Sequence, residues 1–124
     1  QRVLLAKTLL QVWPSLNSNG QILLLDEPLA GLDLYHQLQL LELLNELAQK
    51  GLTIITSLHD FNVAATHCDH ILCMNEGKLA FSDSPAHFHE QLIEDVFHIR
   101  TIRTESHGQI QFIPWKTTST QGNL

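Results

Sequence analysis

Ile22-Leu23-Leu24-Leu25-Asp26-Glu27-Pro28 is the stretch that decides the fold. Four apolar residues in a row predict a short buried strand, and two carboxylates stand where it ends. Pro28 to Asp33 reads as a loop, and Asp33 can cap a following helix by accepting from its free amide groups. That helix is predicted over about 34–50, where Leu38, Leu41, Leu44 and Ala48, flanked by Leu40, Leu43 and Leu47, give a wide apolar stripe. Lys50 suits the negative end of the helix dipole and Gly51 its C-terminal cap. Leu52-Thr53-Ile54-Ile55-Thr56-Ser57 is β-branched and apolar, and reads as a second strand. Strand, helix and strand make one βαβ unit, for which parallel strands and a right-handed crossover are expected.

Beyond it, Asp60 is expected to cap a short helix through Asn62–His67. Residues 71–74 and 79–82 flank Asn75-Glu76-Gly77-Lys78, a hairpin signal in which Gly77 can take a positive φ. Ser84-Pro85 reads as an N-cap followed by proline at the first helical position, opening short helices through 85–98. Residues 99–105 and 109–113 are expected to form a terminal hairpin about Gly108, with a polar, frayed end from Thr117 to Leu124. Towards the N-terminus, Val3, Leu4, Ala6, Leu9, Leu10 and Val12 fit one buried helix face, ended by Trp13-Pro14 and a polar loop at 15–20. The chain opens on Gln1-Arg2-Val3-Leu4 without a Met, in what reads as mid-helix, so it is expected to be a fragment.

At 124 residues and 44% hydrophobic, one compact domain with a real core is affordable. A formal charge of −6, from 7 basic and 13 acidic residues, argues against non-specific nucleic-acid binding and against a polybasic membrane anchor. No apolar run approaches the roughly 20 residues needed to cross a bilayer. Cys68 and Cys73, one near a helix end and one in a strand, read as a reduced cytosolic pair. The eight histidines are scattered and read mostly as surface residues.

An apolar strand that delivers acids to its C-terminal edge is how α/β nucleotide enzymes place charge beside a metal-bound phosphate. Asp26 can hold Mg²⁺ through its water shell, and Glu27 can orient and polarise an attacking water. Acids often end strands, so spacing alone says little; Asp-Glu-Pro after four aliphatics says much more. His59 falls at the end of the neighbouring parallel strand, on the same sheet edge as Glu27, where an imidazole can hydrogen-bond a γ-phosphate and the attacking water. Ala30-Gly31-Leu32-Asp33 lies just beyond the acids; Gly31 is open to a simple turn role and Asp33 to a simple cap. Gly77-Lys78 is no phosphate loop, because Leu79 follows where Ser or Thr is needed. None of the six glycines sits in a Gly-x-x-x-x-Gly-Lys-Ser/Thr pattern, so half of a nucleotide site is present without a phosphate cradle.

In this ordered combination the chain resembles the C-terminal part of an ATP-binding-cassette (ABC) transporter ATPase. Leu23-Leu24-Leu25-Asp26-Glu27-Pro28 resembles the Walker B strand with its catalytic Glu, Ala30-Gly31-Leu32-Asp33 the D-loop, and His59 the switch histidine. Gln1-Arg2 is similar to the residues just after the Leu-Ser-Gly-Gly signature. The similarity covers about residues 1–100; the family's Walker A loop, Q-loop and signature glycines have no counterpart in the chain. Leu58-His59-Asp60-Phe61-Asn62 resembles the importers of iron-siderophores, haem and vitamin B12. The long loop Leu10–Asn17 with its Gln-x-x-Pro pattern is most similar to the vitamin B12 branch, whereas Leu34-Tyr35-His36-Gln37 is similar to the haem and siderophore branch; the resemblance implies vitamin B12 import first, with iron-siderophore or haem import as the alternative.

The resemblance implies an α/β fold, a partial P-loop NTPase core with a parallel βαβ unit, a C-terminal β-hairpin and short helices. Residues 1–98 would be the C-terminal part of the ATPase domain and 99–124 a hairpin and tail. It implies ATP and Mg²⁺ as cofactors of the complete protein, Glu27 and His59 as catalytic groups, and Asp26 as the metal ligand. Asp26, Gln1, Arg2, Gly31 and Asp33 would line the nucleotide site. The implied partners are a second ATPase subunit, membrane permease subunits and, indirectly, a periplasmic binding protein, at the cytoplasmic face of the bacterial inner membrane, with no nucleic acid. Two other classes fit these residues less well. Cassette ATPases of DNA repair or translation usually carry coiled-coil or paired-cassette insertions, which this acidic chain lacks. A non-catalytic interaction domain is disfavoured by the retained Glu27 and His59.

Overall fold

The computed structural model describes residues 21–118, which fall into two compact units, one ending at His59 and the other beginning at Asp60. The helix expected over 2–12 and the loop at 13–20 lie outside the described residues, as do residues 119–124 of the expected frayed end.

In the first unit, β1 (Ile22–Leu25) and β2 (Thr53–Thr56) pair in parallel, in register from Ile22 with Thr53 to Leu25 with Thr56. Helix α1 (Leu34–Gln49) connects them. It begins where Asp33, in extended geometry (φ −74, ψ 171), accepts the His36 amide at 2.9 Å. It ends where the Lys50 amide donates to the Glu46 and Leu47 carbonyls, followed by Gly51 at φ 102, a conformation that excludes most side chains.

The buried face of α1 differs from the expected stripe. Leu40, Leu44 and Leu47 pack with Leu23 and Leu52 to form the core, and Leu41 is also buried. Leu38 is 43% exposed. Leucines surround most of the helix, so periodicity identifies a helix without setting its rotation; at about 100° per residue, Leu38 lies nearly opposite Leu40. Leu25 and Ile54 also pack on this core, while the alternate positions Ile22, Leu24 and Ile55 are more than half exposed. A run apolar at every position suits a strand covered on both faces, and α1 covers one.

The second unit opens with α2 (Phe61–His67), whose first amides, those of Asn62 and Val63, donate to the Asp60 carboxylate. Strands β3 (Ile71–Asn75) and β4 (Lys78–Asp83) form an antiparallel hairpin. Both residues of its turn have positive φ, Glu76 at 52 and Gly77 at 76, the geometry that matches strand twist in a two-residue loop.

A 3-10 turn (Pro85–His87) follows, but Ser84 makes no side-chain cap bond to it. The His87 amide donates to the Ser84 carbonyl at 3.1 Å, and the Ser84 amide donates to Asp83 Oδ1 at 2.7 Å. That bond and the His87 ring hold the Asp83 carboxyl below its usual range. Helix α3 (Glu90–Phe97) is capped by His89, whose Nδ1 accepts the Leu92 amide at 3.2 Å, a use of histidine the sequence does not announce.

Strands β5 (Ile99–Ser106) and β6 (Gln109–Thr117) close the chain as a long antiparallel hairpin. The second strand runs past the expected end at 113 and includes Thr117. Pro114, which argues for a stop because it cannot donate, sits opposite Thr101 at a bulge that leaves Trp115 as the extra residue. Ala65, Ile71, Phe88, Leu92, Ile93 and Phe112 form this unit's core, with Phe88 meeting Phe81 and Phe112 edge to face. Cys68 ends α2 and Cys73 lies in β3; both are free thiols, and burial pushes both up from the usual thiol range. Such thiols pack rather than react.

Asn62 ties this unit together. Its Nδ2 donates to the Phe112 carbonyl at 2.9 Å and its Oδ1 accepts the Phe112 amide at 2.6 Å, so one side chain pairs both backbone groups of Phe112 in β6. Asn62→Ala leaves both groups part-buried without a partner. A loss of about 1–3 kcal/mol in unfolding free energy is expected from urea denaturation.

Candidate functional site

Parallel pairing sets the site. The Ser57 amide donates to the Leu25 carbonyl at 3.1 Å, carrying the ladder one step past both strands. Asp26 and Ser57 therefore leave the sheet side by side, followed by Glu27 on one segment and His59 on the other.

Ser57 Oγ donates to Asp26 Oδ1 at 2.6 Å and accepts the Glu27 amide at 2.8 Å. Glu27 has φ 47, a left-handed conformation that costs a side-chain-bearing residue about 1–2 kcal/mol. Its carbonyl accepts the Ala30 amide at 3.2 Å, closing the turn over Pro28. The Glu27 carboxylate meets the His59 ring, Oε1 to Nε2 at 2.5 Å. The His59 side chain is 83% exposed, so this pair faces solvent and is open to a ligand. Beside it, Leu24, Leu25, Asp26, Ile55, Thr56 and Ser57 line a shallow depression of about 390 Å³.

Asp26, Glu27 and His59 are thus brought together at one sheet edge. Gly31 turns the following loop at φ 79. Asp33 caps α1 and meets the His36 ring, Oδ1 to Nδ1 at 2.6 Å. Gln1 and Arg2 lie outside the described residues. Ser57 is the residue that sequence reasoning does not single out. Its signal is register: with Leu25 opposite Thr56, the next pair is Asp26 and Ser57.

The donor set is hard and oxygen-rich. One carboxylate and a hydroxyl suit Mg²⁺, which keeps several waters and takes one or two carboxylates with substrate phosphates. No cluster of three metal-ligating side chains occurs among the described residues. A carboxylate paired with an imidazole can orient a water and exchange a proton with it.

No family model matches the chain. The fold is shared with part of a solved structure of an inward-facing, metal-chelate type ABC transporter, which superposes with a TM-score of 0.64 over 77% of this chain and 40% of that one, at 24% identity. The chain's homologues are the ATP-binding proteins of hemin and vitamin B12 import. The hemin import ATP-binding protein HmuV of Rhodopseudomonas palustris is 39% identical over 117 residues, 92% of this chain and 44% of that protein. HmuV of Hahella chejuensis is 44% identical over 85 residues, 68% of this chain and 33% of that protein. The vitamin B12 import ATP-binding protein BtuD of Vibrio vulnificus is 38% identical over 110 residues, 88% of this chain and 43% of that protein. The chain spans less than half the length of these relatives.

The backbone at Glu27 yields a test that needs no nucleotide. Glu27→Gly and Glu27→Ala both remove the contact with His59, but only glycine relieves the left-handed conformation. The glycine variant is expected to be the more stable of the two by about 1 kcal/mol in urea denaturation, the reverse of the usual order.

Proposed function

We propose that the complete protein carrying these residues is the ATP-hydrolysing subunit of an ABC importer, with this chain as the C-terminal part of its ATPase. Residues 1–98 belong to the ATPase domain and 99–124 add a hairpin and tail. The observation that carries this reading is the Glu27–His59 contact one and two residues beyond the paired Asp26 and Ser57.

In this reading Glu27 orients the attacking water and takes up its proton. His59 holds the Glu27 carboxylate in place and hydrogen-bonds the terminal phosphate. Asp26, with Ser57 beside it, holds Mg²⁺, which supplies charge neutralisation on the phosphates. Asp33 reaches towards a second ATPase subunit, and Gln1, Arg2 and Gly31 belong to the same nucleotide surface. Phosphoryl transfer depends mainly on such positioning and charge stabilisation.

The cargo is vitamin B12 or hemin. The Leu10–Asn17 sequence supports the first and Leu34-Tyr35-His36-Gln37 the second, and relatives of both kinds match the chain. The partners are a second copy of the ATPase subunit, membrane permease subunits and, through them, a periplasmic binding protein, at the cytoplasmic face of the inner membrane. No described helix is long and apolar enough to cross a membrane.

In the complete protein, Glu27→Gln is expected to lower kcat for ATP hydrolysis by about 10²–10⁴ while nucleotide binding persists. Native turnover by that variant contradicts the role of Glu27. The 124-residue chain alone carries no glycine-rich nest for phosphates and is expected to hydrolyse no ATP; tight MgATP binding in a calorimetric titration contradicts this.

A further inference from the structure

Both strand-end acids are held by one neutral hydroxyl. Ser57 Oγ has a single proton, and the geometry directs it to Asp26 Oδ1 at 2.6 Å while a lone pair receives the Glu27 amide at 2.8 Å. The two bonds cross from one strand to the other, thirty and more residues apart in sequence. Each does something the strands alone do not. The first fixes one oxygen of the Asp26 carboxylate. The second supplies a partner for the amide of a residue held at φ 47, where the chain must leave the sheet sharply. A left-handed non-glycine residue persists only where its surroundings over-determine it, and this bond is one such constraint. The Glu27 turn in turn brings its carboxylate to His59.

We propose that Ser57 is a positioning residue of the hydrolytic site: its hydroxyl orients Asp26 towards the metal and fixes the turn that presents Glu27 to His59. Threonine preserves this function, because it keeps the hydroxyl, and alanine does not. A group behind a metal-binding carboxylate typically matters to metal affinity or activity by 10- to 100-fold. The inference rests on the proposed ATPase reading for its chemistry, but its structural half stands independently at the Glu27 amide.

The test uses the complete protein with Ser57→Ala and Ser57→Thr. Three quantities are measured: Mn²⁺ affinity by electron paramagnetic resonance with a non-hydrolysable ATP analogue, hydrogen exchange at the Glu27 amide, and the Mg²⁺ dependence of ATP hydrolysis. For Ser57→Ala we expect Mn²⁺ affinity to fall by about tenfold, the Mg²⁺ concentration for half-maximal activity to rise in step, and Glu27 exchange to accelerate by about tenfold or more. Ser57→Thr is expected to stay within about threefold of native in all three. Native metal affinity and native Glu27 exchange in Ser57→Ala overturn the proposal. So does a loss in Ser57→Ala confined to global urea stability, or a threonine variant as defective as alanine. A native protein that neither hydrolyses ATP nor binds Mn²⁺ with the analogue sinks the ATPase reading instead; Glu27 exchange in the two variants then decides the role of Ser57 by itself.

Discussion

Everything at the site depends on the register of two parallel strands. Leu25 pairs with Thr56, and the ladder is extended by the Ser57 amide on the Leu25 carbonyl. A slip of one residue would turn either Leu23 or Ile54 away from α1 and separate Asp26 from Ser57. Burial opposes such a slip: Leu23, Leu40, Leu44, Leu47 and Leu52 form one core under the strands. A hydrophobic constraint on one face of a sheet therefore sets polar geometry at its edge. The edge itself is mostly exposed, so weak surface interactions at Glu27 and His59 are organised by strong burial beneath them.

The motif Leu58-His59-Asp60-Phe61-Asn62 serves two purposes. His59 belongs to the site, whereas Asp60 caps α2 and Asn62 bonds the backbone of β6 at Phe112. The polar residues that make this stretch resemble one group of importers are thus partly architectural. They hold the second unit together. Glu27 shows the opposite balance: its left-handed backbone is unfavourable to stability, and what it gains is the direction of a carboxylate.

Much of this was legible in the residues, for identifiable reasons. The strand Ile22–Leu25, the cap at Asp33, the stop at Gly51 and the cap at Asp60 each carry a local signal that the structure obeys. The meeting of Glu27 and His59 followed from topology, since parallel neighbours end on one edge. The rotation of α1 was hidden by its excess of leucines, which left Leu38 no different from Leu40 on pattern alone. The length of β6 was hidden by Pro114, whose missing donor is absorbed by a bulge. Ser57 was hidden because its importance comes from register, and a serine at a strand end is ordinary by itself. His89 as a helix cap was hidden because histidine is a rare choice there.

The central claim is that Glu27 and His59 act as one unit on one phosphate. A double-mutant cycle on kcat for ATP hydrolysis by the complete protein, using Glu27→Gln, His59→Ala and the pair, tests it most directly. Groups that act together are strongly non-additive. The pair is therefore predicted to be no slower than the slower single variant, within about threefold. Losses that multiply, so that the double variant falls by the product of the two single effects, would show independent roles and contradict the account.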